Sequence, residues 1–72
     1  MKQNTMKITQ LPYPVPSKRK YSVIHNGKQY TCYLQSFSYD IVVTGDGNST
    51  DSKIITDTQL GRRIVLECLK HR

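Results

Sequence analysis

Long apolar runs are missing from this chain, and that absence limits where it can sit. No stretch approaches the ~18 apolar residues of a membrane-spanning helix, and the opening MKQNTMKITQLP lacks the apolar centre, about 7–15 residues long, of a secretory signal. A cytoplasmic protein with no membrane partner is expected. Cysteine is also scarce. Cys32 and Cys68 form no C-x-x-C pair, and in a reducing compartment they are expected to be buried free thiols behaving as small hydrophobes. With His25 and His71 they are all the Cys and His the chain has. Zinc sites space their ligands more tightly within each pair, and His25, beside a turn, is expected to face solvent, so neither metal nor cofactor is expected.

Acidic residues are the third shortage. Five Asp and Glu stand against eleven Lys and Arg, giving a formal net charge of +6 and a pI near 9.6. A surplus of that size on a short chain favours a polyanionic partner: nucleic acid first, an acidic protein surface as the alternative. Motifs that would fix a chemistry are lacking too. The loop from Asp46 to Asp57 has Asp51 where a calcium-binding EF-hand needs glycine, and Asp57 where it needs a bidentate Glu. Asn48-Ser49-Thr50 matches a glycosylation sequon but follows no secretory signal, and no glycine motif that cradles phosphate occurs. A nucleophile needs a base within hydrogen-bond reach. Here both thiols fall on expected core faces, the histidines sit at a turn and a terminus, and the aspartates belong to loops or boundaries. No catalytic residue is assigned, and a non-enzymatic protein is expected.

Seventy-two residues make one small domain with a single modest core. Pro12, Pro14 and Pro16 exclude helix and central strand, so residues 1–16 read as a weakly ordered, proline-rich arm with a short strand candidate at Met6–Thr9. Residues 17–72 read as the domain. Its clearest stretch is YSVIHNGKQYTCYLQ. A two-residue type I′ turn at Asn26-Gly27 places His25 opposite Lys28, Val23 opposite Tyr30 and Tyr21 opposite Cys32. Alternation then puts Tyr21, Val23, Tyr30, Cys32 and Leu34 on a core face, and Ser22, Ile24, Gln29, Thr31, Tyr33 and Gln35 on the other. YDIVVT at 39–44 supplies a third strand, with Tyr39, Ile41 and Val43 assigned to the core face and Asp40, Val42 and Thr44 outward. GDGNSTDS at 45–52 is a loop.

Thr56-x-x-Gln59 fits a capping box, and Leu60, Ile64, Val65 and Cys68 follow at helical spacing. The expected fold is therefore α+β: a three-stranded antiparallel meander over about 20–44 with a C-terminal helix on one face. Gly61 and the β-branched pair Ile64-Val65 weaken that helix, and reading the segment as strand gives a small all-β SH3-like barrel instead.

Strand–strand–strand–helix with GDGNST before the helix resembles the second half of a double-stranded-RNA-binding domain, where the helix start contacts phosphates. It is similar in outline to the sheet-plus-helix DNA-binding domains of phage integrases, which lay the sheet in the major groove. Of the lysine-rich helix start of the RNA-binding family only Lys53 is present. The likeness implies nucleic-acid binding. The expected contacts are Lys18, Arg19, Lys20, Arg62 and Arg63 to the backbone, Lys28 at the hairpin tip, and Gln29, Thr31 and Tyr33 to bases or sugars. The expected function is a small regulatory protein binding duplex DNA or structured RNA, a phage or plasmid accessory protein, as a monomer or weak homodimer. The alternative is a module that docks on a host enzyme or transcription component.

Overall fold

The computed structural model describes residues 6–14, 18–35 and 40–71. Strands β1 (Lys7–Leu11), β2 (Lys18–His25), β3 (Lys28–Gln35) and β4 (Ile41–Thr44) are followed by helix α1 (Gln59–Lys70). The strands form one antiparallel sheet in the order β1-β2-β3-β4, so each strand lies beside its sequence neighbour.

The hairpin forms as its turn chemistry dictates. Asn26 and Gly27 both adopt left-handed backbone, φ 53° and 77°, as a type I′ turn requires. The register follows: His25 opposite Lys28, Val23 opposite Tyr30, Tyr21 opposite Cys32, running on to Lys18 opposite Gln35. All five residues assigned to the core face are buried, and Val42, Ile64 and Cys68 complete the core with them. Met6, Ile8, Ile55, Leu60 and Val65 pack around it.

Four features depart from the sequence-based expectations. The meander has a fourth strand. Lys7–Leu11, expected within the arm, pairs with β2, placing Ile8 opposite Val23 on the core side; Pro12, which has no N–H to donate, follows its last residue. In β4 the alternation runs in the opposite phase: Val42, opposite Cys32, is fully buried, while Ile41 and Val43 lie on the other face. Three consecutive apolar residues, Ile41-Val42-Val43, contain no polar position to mark the phase, and the connection at 36–39, including Tyr39, lies outside the described residues. His25 does not face solvent. It is buried on the core side at the end of β2, because alternation from Tyr21 and Val23 outweighs its closeness to the turn.

The fourth departure is the helix cap. Residues 59–70 are helical, and the open sheet excludes the barrel. The helix is capped by Thr58, whose hydroxyl accepts from the Gly61 N–H at 2.9 Å. Thr56 is used elsewhere: its hydroxyl accepts from the Val42 N–H at 2.9 Å. With Ile55 N–H donating to Val42 C=O and Thr44 N–H to Lys53 C=O, residues 53–56 cover the outer edge of β4. Gly61, which lowers helix propensity, is what permits this packing. It is buried, and a Cβ there would overlap the Ile55 carbonyl. Helix α1 lies on β3 and β4, burying Ile64 and Cys68 and leaving Leu66 and Leu69 exposed.

Candidate nucleic-acid interface

With α1 on one face, the sheet's second face is where an extended ligand could lie. Cross-strand pairing assigns its residues in rows. Leu11, Lys20, Tyr33 and Ile41 form one row, and Thr9, Ser22, Thr31 and Val43 the next. Lys7, Ile24 and Gln29 form a third, and Lys18 with Gln35 stands at the opposite end.

Parts of this face are roofed. Thr31 is only 1% exposed, and its hydroxyl donates to the Gly45 carbonyl at 2.9 Å. The loop after β4 folds back over it. Gly47 lies so close that an added Cβ would stand 2.7 Å from the Tyr33 hydroxyl and 3.6 Å from Thr31 Cβ. The loop is held by its own Asp46, whose carboxylate accepts from the Asn48 and Ser49 N–H groups at 2.8 and 3.1 Å. Tyr13, from the proline-rich segment, packs edge-on against Tyr33 with ring centroids 6.1 Å apart. The Lys20 ammonium stands 5.6 Å from the centre of the same Tyr33 ring, within cation–π range. Lys7, Thr9, Ile24 and Gln29 remain exposed, with Ser22, Lys18 and Lys20 half-buried beside them.

The nine residues assigned from sequence therefore do not share one surface. Lys18, Lys20, Gln29 and Tyr33 come together on the open face. Thr31 lies on that face but is covered, with its hydroxyl already engaged. Arg19 and Lys28 occupy positions that alternation assigns to the α1 side, opposite Leu34 and His25. Arg62 and Arg63 are exposed on α1, in the other layer. Arg62 lines a cleft of about 360 Å³ with Asp40, Thr56, Asp57, Val65 and Leu66.

Lys7 was missed because it falls within the expected arm, yet it stands at an exposed corner of the open face. Counting charge by segment would have found it. Residues 1–35 hold six Lys and Arg and no Asp or Glu, whereas residues 36–72 hold five of each, so the whole net charge of +6 resides in the first half. Among the described residues none of the four strands contains a carboxylate. Among the described residues no group of three or more His, Cys, Asp or Glu is arranged to hold a metal, and no helix is long and apolar enough to cross a membrane. The chain matches no family model, no curated protein sequence and no solved structure.

Proposed function

We propose that this protein is a non-enzymatic nucleic-acid-binding protein that meets duplex DNA or structured RNA with the open face of its sheet. The observation that carries the reading is the segregation of charge. Lys7, Lys18 and Lys20 lie on a face whose strands contain no carboxylate, so nothing on the strands themselves opposes an approaching phosphate backbone. Exposed Thr9 and Gln29 lie among them and offer donors and acceptors, and Tyr33 with Tyr13 adds aromatic surface at the row that holds Lys20. Phosphate contacts of this kind release counterions, so each one steepens the dependence of affinity on salt.

The test is a titration of labelled duplex DNA and duplex RNA at several salt concentrations. Affinity should fall steeply from low to moderate salt for at least one of them. An affinity that is undetectable at low salt, or independent of salt, would overturn the reading.

A protein-docking role is supported by a different observation. Leu66 and Leu69 are exposed apolar side chains of α1, in the layer opposite the open face of the sheet, and Leu66 borders the cleft that holds Asp40, Asp57 and Arg62. Recovery of one dominant protein from nuclease-treated lysate, lost on Leu66→Asp, would favour this role over the first.

A further inference from the structure

The two outer strands of the sheet end it differently. Antiparallel partners alternate between hydrogen-bonded and non-hydrogen-bonded pairs, and a two-residue turn makes the pair that flanks it a bonded one. His25 and Lys28 flank the turn. Tyr21, Val23 and His25 therefore direct their backbone N–H and C=O groups at β3, and Lys20, Ser22 and Ile24 direct theirs at β1. The same alternation turns Gln29 toward β4, and its carbonyl accepts from the Gly45 N–H at 2.7 Å. Val42 and Thr44 then face outward from β4, and both are engaged: Val42 by Thr56 and Ile55, Thr44 by Lys53. On β1, Lys7, Thr9 and Leu11 pair with Ile24, Ser22 and Lys20, which turns the N–H and C=O groups of Ile8 and Gln10 outward. Strand β1 is outermost in the sheet, and among the described residues nothing bonds to those groups. We propose that this open edge docks a second copy of the chain, the two β1 strands pairing antiparallel with their centre at Thr9.

The strand fits itself in that register. Lys7 stands opposite Leu11 of the second copy, so the two Lys7 side chains do not meet, and Ile8 stands opposite Gln10. Each Ile8–Gln10 pair exchanges two backbone hydrogen bonds. Pro12, the next outward position, has no N–H and ends the ladder. Ile8 is half-buried and Gln10 exposed, so their pairing also covers apolar surface on the core side. The contact is isologous, with its two-fold axis perpendicular to the sheet. Both helices then lie on one side and both open faces on the other.

This choice of occupant deepens the nucleic-acid reading and rests on it in part. The row of Lys20 and Leu11 continues into Lys7 of the second copy, two strands or about 10 Å from Lys20, so the cations of both copies share one surface. A five-residue edge is small beside the roughly 1,000 Å² of a stable interface, so the dimer is weak and forms with rising concentration.

The test is sedimentation equilibrium of the full chain without nucleic acid, at moderate salt to screen repulsion between the cationic copies, at concentrations up to about 1 mM. A reversible monomer–dimer equilibrium is expected. Gln10→Pro removes an outward N–H and keeps the bonds to β2, so it should give a monomer with the Tm of the dilute wild-type chain. Thr9→Cys places two thiols opposite each other at the two-fold, in a non-hydrogen-bonded pair where side chains approach most closely. Mild oxidant should link that variant through position 9 at least tenfold faster than Ile24→Cys, which lies one strand in on the same face. Should Gln10→Pro not fold, the ratio of cross-linking rates decides. A monomer at every concentration would overturn the proposal, as would a dimer undiminished in Gln10→Pro or equal cross-linking at both positions. A monomer that still binds duplex with a steep salt dependence would sink the dimer and leave the nucleic-acid reading standing.

Discussion

The ribbon of β1, β2 and β3 and the segment from Asp40 onward are built by different means. In the ribbon, neighbours in space are neighbours in sequence: a two-residue turn sets the register, alternation sets the faces, and every charged side chain is a cation. The second segment is assembled from contacts across the chain. Thr56 satisfies Val42, Ile55 reaches back to the same residue, Gly61 lets α1 approach Ile55, and the loop at 45–47 returns over β3. Its charges balance. The comparison teaches that the segment which closes the core needs neutral, close-packed chain, whereas the ribbon, once half-covered, keeps its cations outward.

Breaking the close approach should have the largest effect. Gly61→Ala forces the backbone of α1 away from the Ile55 carbonyl and should cost about 2–3 kcal/mol, read as a lower urea midpoint. An unchanged midpoint would mean that the approach is not a constraint. Thr31→Val joins the two regions, because it removes the hydroxyl that ties β3 to the returning loop. It leaves the Gly45 carbonyl short of a donor, with an expected loss of about 1–2 kcal/mol and no change in affinity for nucleic acid. A weakened affinity at preserved stability would return Thr31 to the interface. Gly27→Ala affects the ribbon alone. Nothing lies within 4 Å of the added Cβ, so only the left-handed φ resists it, at about 1 kcal/mol by thermal unfolding.

The same contrast explains what could be read in advance. The hairpin was legible because Asn26-Gly27 and the alternation of Tyr21, Val23, Tyr30, Cys32 and Leu34 agree with each other. The helix was legible from Leu60, Ile64 and Cys68, although its cap moved from Thr56 to Thr58: only Thr56 has a Gln three residues on, but its hydroxyl is engaged by the distant Val42 N–H, and Thr58 caps the Gly61 N–H instead. The phase of β4 was hidden by an apolar run without alternation. β1 was legible in part, as the strand candidate at Met6–Thr9, but its neighbouring prolines assigned it to the arm: they exclude Pro12 onward from the sheet but not the five residues before it. Of the candidate interface, Lys18, Lys20, Gln29 and Tyr33 could be placed on one face by counting twos along the strands. The covering of Thr31 could not, since it depends on where the loop after β4 returns.

Segregated charge predicts that position matters more than total charge. Two triple variants with equal loss of charge make the comparison: Lys7, Lys18 and Lys20 to Ala on the open face, and Lys53, Arg62 and Lys70 to Ala, all exposed, in the second half. The measurement is the slope of log affinity against log salt on the nucleic acid bound by the wild-type chain. The first variant should flatten that slope by about 2–3 while the second leaves it nearly unchanged. Equal flattening by both would contradict the account, because the partner would then be responding to net charge and not to the open face of the sheet.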